Sequence, residues 1–214
     1  MSWNVNIPKG DGGDFPAREV MPADQYPAVL IAMVDLGTQR VQKFQSQEME
    51  EKRQVVLVWE IQGPKTEAGE PFYLAERYNL SLHEKATFRK VLLNGGLALP
   101  DDGSADITQA LGKPYLIDVE VGTSQKGNEY NRIAKDGVQK LPNAMRKGLT
   151  KPTRPSFAWQ ISQGLMPNHS WLPFVYGKPI SDHQKASKEI GGASAASNGQ
   201  VVTVGASADE ETPF

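Results

Sequence analysis

The sequence predicts a mainly β chain of five short strands, with one helix between the third and the fourth. Three observations carry that reading. Residues 53–61 alternate Val55, Leu57, Trp59 and Ile61 with Gln54, Val56, Val58 and Glu60, the period of two expected of a strand with one buried and one half-exposed face. Residues 72–80 repeat the pattern, with Phe72, Leu74, Tyr78 and Leu80 opposing Tyr73, Ala75, Arg77 and Asn79. Gly63-Pro64 and Gly69-Glu70-Pro71 lie between the two runs and make them a hairpin. A helical pattern follows directly. Ser81 and Glu84 have capping-box spacing, Phe88, Val91 and Leu92 form an apolar stripe, and Gly95-Gly96 ends it.

The remaining elements are placed around that hairpin. Residues 1–25, rich in Gly, Pro and Asp, read as an irregular N-terminal arm. Tyr26 to Leu36 is the first strand, with Pro27 tolerated at its start. Residues 37–52 read as a long polar connection holding Arg40, Lys43, Lys52 and the acidic residues Glu48, Glu50 and Glu51. Beyond the helix, Asp101-Asp102-Gly103 is a turn, and Asp106 caps a short helical stretch ending at Gly112. Tyr115, Ile117, Val119 and Val121 alternate with Leu116, Asp118 and Glu120 as a fourth strand; residues 124–128 turn the chain into a fifth, Tyr130 to Lys135. This order is the layout of a five-stranded OB-fold barrel, which binds oligonucleotides on strands 2 and 3 and with the loops joining strands 1–2 and 4–5. The loops here are residues 37–52 and 122–129, and the domain spans 26–138. Residues 139–180 hold Phe157, Trp159, Trp171, Phe174 and Tyr176, too aromatic for a free linker, and are expected to pack on the barrel as an irregular extension. Residues 181–208 read as a disordered linker and 209–214 as an acidic tip.

Composition narrows the function. Without cysteine the chain has no disulfide framework and no thiolate metal site, and His83, His169 and His183 share no metal-ligand spacing. Asp101, Asp102 and Asp106 are read as turn and cap chemistry rather than as a metal cluster. No phosphate-binding loop, nucleophile elbow or zinc-protease motif is present, so no enzymatic activity and no cofactor are expected. No apolar run approaches the length of a membrane span, and the plain expectation is a soluble, cytoplasmic protein. The formal net charge of −2 conceals a split: residues 141–188 carry seven cations against one anion, and residues 189–214 carry four anions and no cation.

Binding an oligonucleotide of any sequence requires aromatic faces for bases and cations for phosphates. Tyr73 and Arg77 share the less apolar face of strand 3, and Tyr130 and Arg132 share a face of strand 5 beside the loop carrying Lys126. Arg40, Lys43, Lys52 and Arg53 line the first loop and the entry to strand 2. Trp59 joins the candidate set, although its neighbours in alternation are all apolar. The basic residues Arg146, Lys147, Lys151 and Arg154 offer an extension of the phosphate track. At the other end, Asp209, Glu210, Glu211, Pro213 and Phe214 suit capture by a basic-rimmed apolar pocket on a partner protein.

The Gly/Ser/Ala-rich stretch followed by an acidic Pro-Phe ending resembles the C-terminal tip of bacterial single-stranded DNA-binding proteins, with Glu210-Glu211 in place of two aspartates and Thr212 where isoleucine is common. The body resembles phage-encoded single-stranded DNA-binding proteins in Val34-Asp35-Leu36-Gly37-Thr38-Gln39, Val58-Trp59-Glu60-Ile61, Arg77-Tyr78-Asn79-Leu80-Ser81-Leu82-His83-Glu84-Lys85, Leu111-Gly112-Lys113-Pro114 and Leu172-Pro173-Phe174-Val175-Tyr176-Gly177. The resemblance implies an OB fold, a role in phage DNA replication or recombination inside the host cytoplasm, and recruitment of replication, recombination and repair proteins by the tip. The alternative is a protein-interaction OB module whose groove holds a peptide or a partner subunit.

Overall fold

A computed structural model describes residues 19–43, 46–101, 104–124 and 127–191. Eight elements build it: β1 (Asp24–Gln42), β2 (Met49–Lys65), β3 (Pro71–Asn79), α1 (Thr87–Asn94), β4 (Pro114–Thr123), β5 (Glu129–Lys140), β6 (Phe157–Trp159) and α2 (Ile180–Lys185). The strands form one sheet in the order β3-β2-β1-β4-β5. All neighbours along that path are antiparallel, while β6 pairs in parallel with Ala32–Val34 of β1, beyond the point where β4 leaves it. The sheet is open: its end strands β3 and β5 approach within 8 Å at several Cα positions, but among the described residues no ladder joins them.

Both faces of the central strands are buried. On one, Leu30, Leu57, Trp59, Ile61, Tyr115 and Ile117 form a core closed by Phe88, Val91 and Leu92 of α1. On the other, Ile31, Val34, Val56 and Val58 pack against Met166, Leu172, Val175 and Ile180, with Phe157, Trp159 and Trp171 at the margin. This corrects the expectation of a half-exposed face in residues 53–61. All four of Gln54, Val56, Val58 and Glu60 are buried: the segment after 156 packs on Val56 and Val58, Thr153 donates to Glu60, and Gln54 donates to Asn79. Full burial of Val56 and Val58 contributes about 1.5–3 kcal/mol each. Among the described residues no helix is long and apolar enough to cross a membrane.

Other boundaries move for identifiable reasons. Most of the connection expected at 37–52 is strand: β1 runs to Gln42 and β2 starts at Met49. The ladder continues through this polar hairpin, with Arg40 across from Glu51 and Gln39 across from Lys52, while Lys52 pairs with Glu50 and Lys188 with Glu51. At Gly37 the ladder shifts register with φ +72°, and an added Cβ would meet the Glu189 carboxylate, so only glycine fits there. Helix α1 starts at Thr87, without the box expected of Ser81 and Glu84. Instead the Ser81 hydroxyl accepts from the His83 N–H, which makes a turn before the helix. The expected cap at Asp106 is present on a 3-10 turn at Ile107–Ala110, accepting from the Thr108 N–H. β5 reaches Lys140, passing Asp136 in the left-handed region.

At the ends, Met21, expected in an irregular arm, is buried in the first core, and Asn131 bonds both its N–H and its carbonyl. Residues 181–191, expected in a linker, include most of α2. Gln184 donates to the Asp35 carbonyl, and the Glu189 carboxylate accepts from the N–H and hydroxyl of Thr38. Residues 1–18 of the arm, 192–208 of the linker and the tip 209–214 lie outside the described residues.

Candidate nucleic-acid interface

The gap between the end strands is a broad open cleft of about 2700 Å³, lined by β3, β5, α1, Trp171 and residues 173–177. Tyr73, Arg77, Tyr130 and Arg132 all line it. Strand alternation sets their direction. Leu74 and Tyr78 turn into the α1-covered core, so Tyr73 and Arg77 face the other side. Ile133 likewise turns inward, which directs Tyr130 and Arg132 outward.

Each of the four has a defined neighbour. The Tyr73 ring is tilted against Trp171 with centroids 5.0 Å apart, and its hydroxyl is 3.0 Å from that of Thr153. The guanidinium carbon of Arg77 lies 4.6 Å from the centroid of the Tyr176 ring. Tyr130 sits across from Gly122, and a Cβ added at Gly122 would meet the Tyr130 ring at 2.9 Å, so the glycine leaves the space in which that ring lies. The Arg132 Nε donates to Glu120 Oε2 at 2.9 Å, and Nη2 lies 2.8 Å from the same oxygen, an ion pair between neighbouring strands.

The other sequence candidates divide. Lys52 and Arg53 border the cleft but are engaged, Lys52 with Glu50 at 2.6 Å and Arg53 with Asp35 through two nitrogens. The hydrogen bond to Asp35 raises the Arg53 pKa above its usual range. Arg40 and Lys43 lie near the hairpin tip, away from the cleft lining, and Lys43 pairs with Glu48. Lys126 and the tip residues Asp209, Glu210, Glu211, Pro213 and Phe214 lie outside the described residues.

Trp59 is corrected outright. It has no solvent exposure and packs edge-on against Tyr78 and Tyr115, so no base can reach it. Arg146, Lys147 and Lys151 are exposed but do not line the cleft, and Arg154 reaches its margin only by lying 5.4 Å over the Trp171 ring.

Three cations of the cleft were not foreseen. Lys85 before α1, Lys90 within it and Lys135 on β5 are exposed and make no ion pair among the described residues. Their sequence signal is weak, since single lysines beside a helix or on an edge strand are common as solvated charge. Trp171 and Tyr176, in the aromatic segment expected to pack on the barrel, come to the wall of the cleft because that segment folds back over β2 and β3. The Tyr176 hydroxyl donates to Glu76 at 2.8 Å. Its pKa is pushed up to about 12 by burial of that end and by the Glu76 charge, so the phenol stays neutral.

The cleft therefore offers rings and guanidinium groups side by side, with acidic residues Glu76, Glu120 and Glu129 among them. Such a surface can stack flat, polarizable groups and meet anions at separate points. It is not a uniformly basic channel. Among the described residues no three of His, Asp and Glu gather as a metal ion would require. Compared with models of known protein families and with curated proteins, the chain matches none.

Proposed function

We propose that the chain binds single-stranded DNA with little sequence preference, laying it along the cleft between β3 and β5. The observation that carries this reading is that Tyr73, Arg77, Tyr130 and Arg132, a ring and a cation from each of two strands, all line one open cleft. Base stacking on such rings is worth about 1–3 kcal/mol per base and tolerates any sequence, because every base has a π-face. Lys85, Lys90 and Lys135 stand ready for phosphates. The sheet order and the approach of β3 to β5 fit an OB-type barrel opened along that seam, and the opening supplies the groove. Binding of this kind involves no bond-making, and the chain acts as a coat rather than an enzyme. In a phage-infected cell it would protect single strands during replication or recombination, while Asp209–Phe214 recruits partner proteins.

One observation favours a second reading. Among the described residues the outer edge of β3 is unpaired, and three cations lining the groove, Lys52, Arg53 and Arg132, are engaged by carboxylates. A peptide adding a strand to that edge would use backbone hydrogen bonds in place of free charge. Titration of labelled oligo-dT, followed by tryptophan fluorescence, separates the two. Quenching that fades with salt, by roughly 0.7 log units per log of salt for each phosphate contact, supports the first reading. No response at low salt supports the second.

A further inference from the structure

Val175 and Lys178 exchange backbone hydrogen bonds of 2.9 and 3.1 Å, enclosing a two-residue turn of Tyr176 and Gly177. Both central residues have positive φ, +48° and +73°. Turns of this kind select Asn-Gly or Gly-Gly, because a bulky side chain in the left-handed region is strained. A tyrosine at the first position is therefore disfavoured by the backbone. Core packing does not select it either, since Tyr176 is 65% exposed, the most exposed of the large apolar side chains described. Backbone strain that persists without a packing reason marks positions held for another purpose.

The surroundings indicate the purpose. Val175 is buried, and its carbonyl lies 2.8 Å from the His183 Nε2, so the turn is anchored from below. Arg77 lies over the ring, and Glu76 fixes the hydroxyl, which leaves a pinned aromatic surface open toward the cleft. Lys178, at the end of the same turn, is exposed and makes no ion pair among the described residues. The ring lines the cleft, and Lys178 stands two residues along the same turn, just outside the lining, an order that suits a base followed by its phosphate.

We infer that Tyr176 is a base-stacking platform, with Lys178 meeting the adjoining phosphate, so that the C-terminal segment supplies one wall of the nucleic-acid site. This rests on the reading of the chain as a single-strand binder. The test uses the full chain, fluorescein-labelled oligo-dT and anisotropy at two salt concentrations, with melting temperature as a control. Y176N removes the ring and suits the left-handed turn, so its melting temperature holds or rises while affinity drops on the order of tenfold. The log–log salt slope stays as in wild type for Y176N and becomes shallower for K178A. Y176F recovers most of the affinity lost in Y176N. One result overturns the platform and leaves the single-strand reading intact: wild-type affinity in Y176N, which together with a lowered melting temperature makes the ring a clasp. Failure of the wild type to bind at low salt removes both.

Discussion

The Glu60 carboxylate, buried at the centre of the sheet, accepts from both the N–H and the hydroxyl of Thr153, the latter at 2.6 Å, across 93 positions of sequence. The pair is a tether: Glu60 lies on β2, and Thr153 is in the segment that leads to β6 and the cover over Val56 and Val58. The Tyr73 hydroxyl reaches the same Thr153, so the tether also fixes one wall of the cleft.

Glu60→Ala removes these charge-assisted bonds and orphans the Thr153 groups. The expected loss is about 2–3 kcal/mol, read from urea unfolding. Proteolysis should then cut within 141–156 at lower protease concentrations than in wild type. A loss under about 0.5 kcal/mol contradicts the tether.

Trp59→Phe tests the removal of this residue from the binding set. Its ring touches Tyr78 and Tyr115 edge-on, with centroids 6.4 and 6.0 Å away, so trimming it costs about 1–3 kcal/mol of stability. Oligo-dT affinity of the folded variant should equal that of wild type. Weakened binding without destabilisation would return Trp59 to the site.

Glu120 holds Arg132 through two nitrogens at half-exposed positions. Glu120→Gln frees the guanidinium and removes an anion from the cleft. Oligo-dT affinity at low salt should rise about two- to fivefold, with a steeper salt slope. Unchanged binding would remove Arg132 from the interface.

Burial holds the His183 imidazole below its usual pKa, helped by Arg77 and Lys178 and opposed by the Val175 carbonyl and Asp182. The unfolded chain then takes up a proton near pH 6.5 that the folded chain resists. Stability is therefore lost as pH falls below about 6.5, at no more than about 1.4 kcal/mol per pH unit, until the lowered folded pKa is reached. Urea unfolding between pH 7 and 5 should show this component in wild type and lose it in His183→Gln. An identical pH dependence in both proteins contradicts it.

Strand positions were legible where alternation met a single core, as at Leu57, Trp59 and Tyr115, whose inward direction follows from period two alone. The second face was not legible. Val56 and Val58 read as half-exposed because their cover comes from Met166, Leu172 and Val175, in a segment with no periodicity of its own. The extension of β1 to Gln42 was hidden for another reason: a backbone ladder between polar segments, with Arg40 across from Glu51, carries no apolar signal. The shared face of Tyr73 and Arg77, and that of Tyr130 and Arg132, was legible because alternation gives the face of a strand. Tyr176 escaped because its place depends on a turn and on a chain reversal that no local pattern encodes.

The most direct test of the central claim is amide hydrogen exchange on the full chain, with and without saturating oligo-dT at low salt. The account predicts slowed exchange along Pro71–Asn79, Glu129–Lys140 and the 175–178 turn, with little change in the polar hairpin tip around Arg40 and Lys43. Protection absent from both β3 and β5, or confined to the hairpin tip, would contradict it.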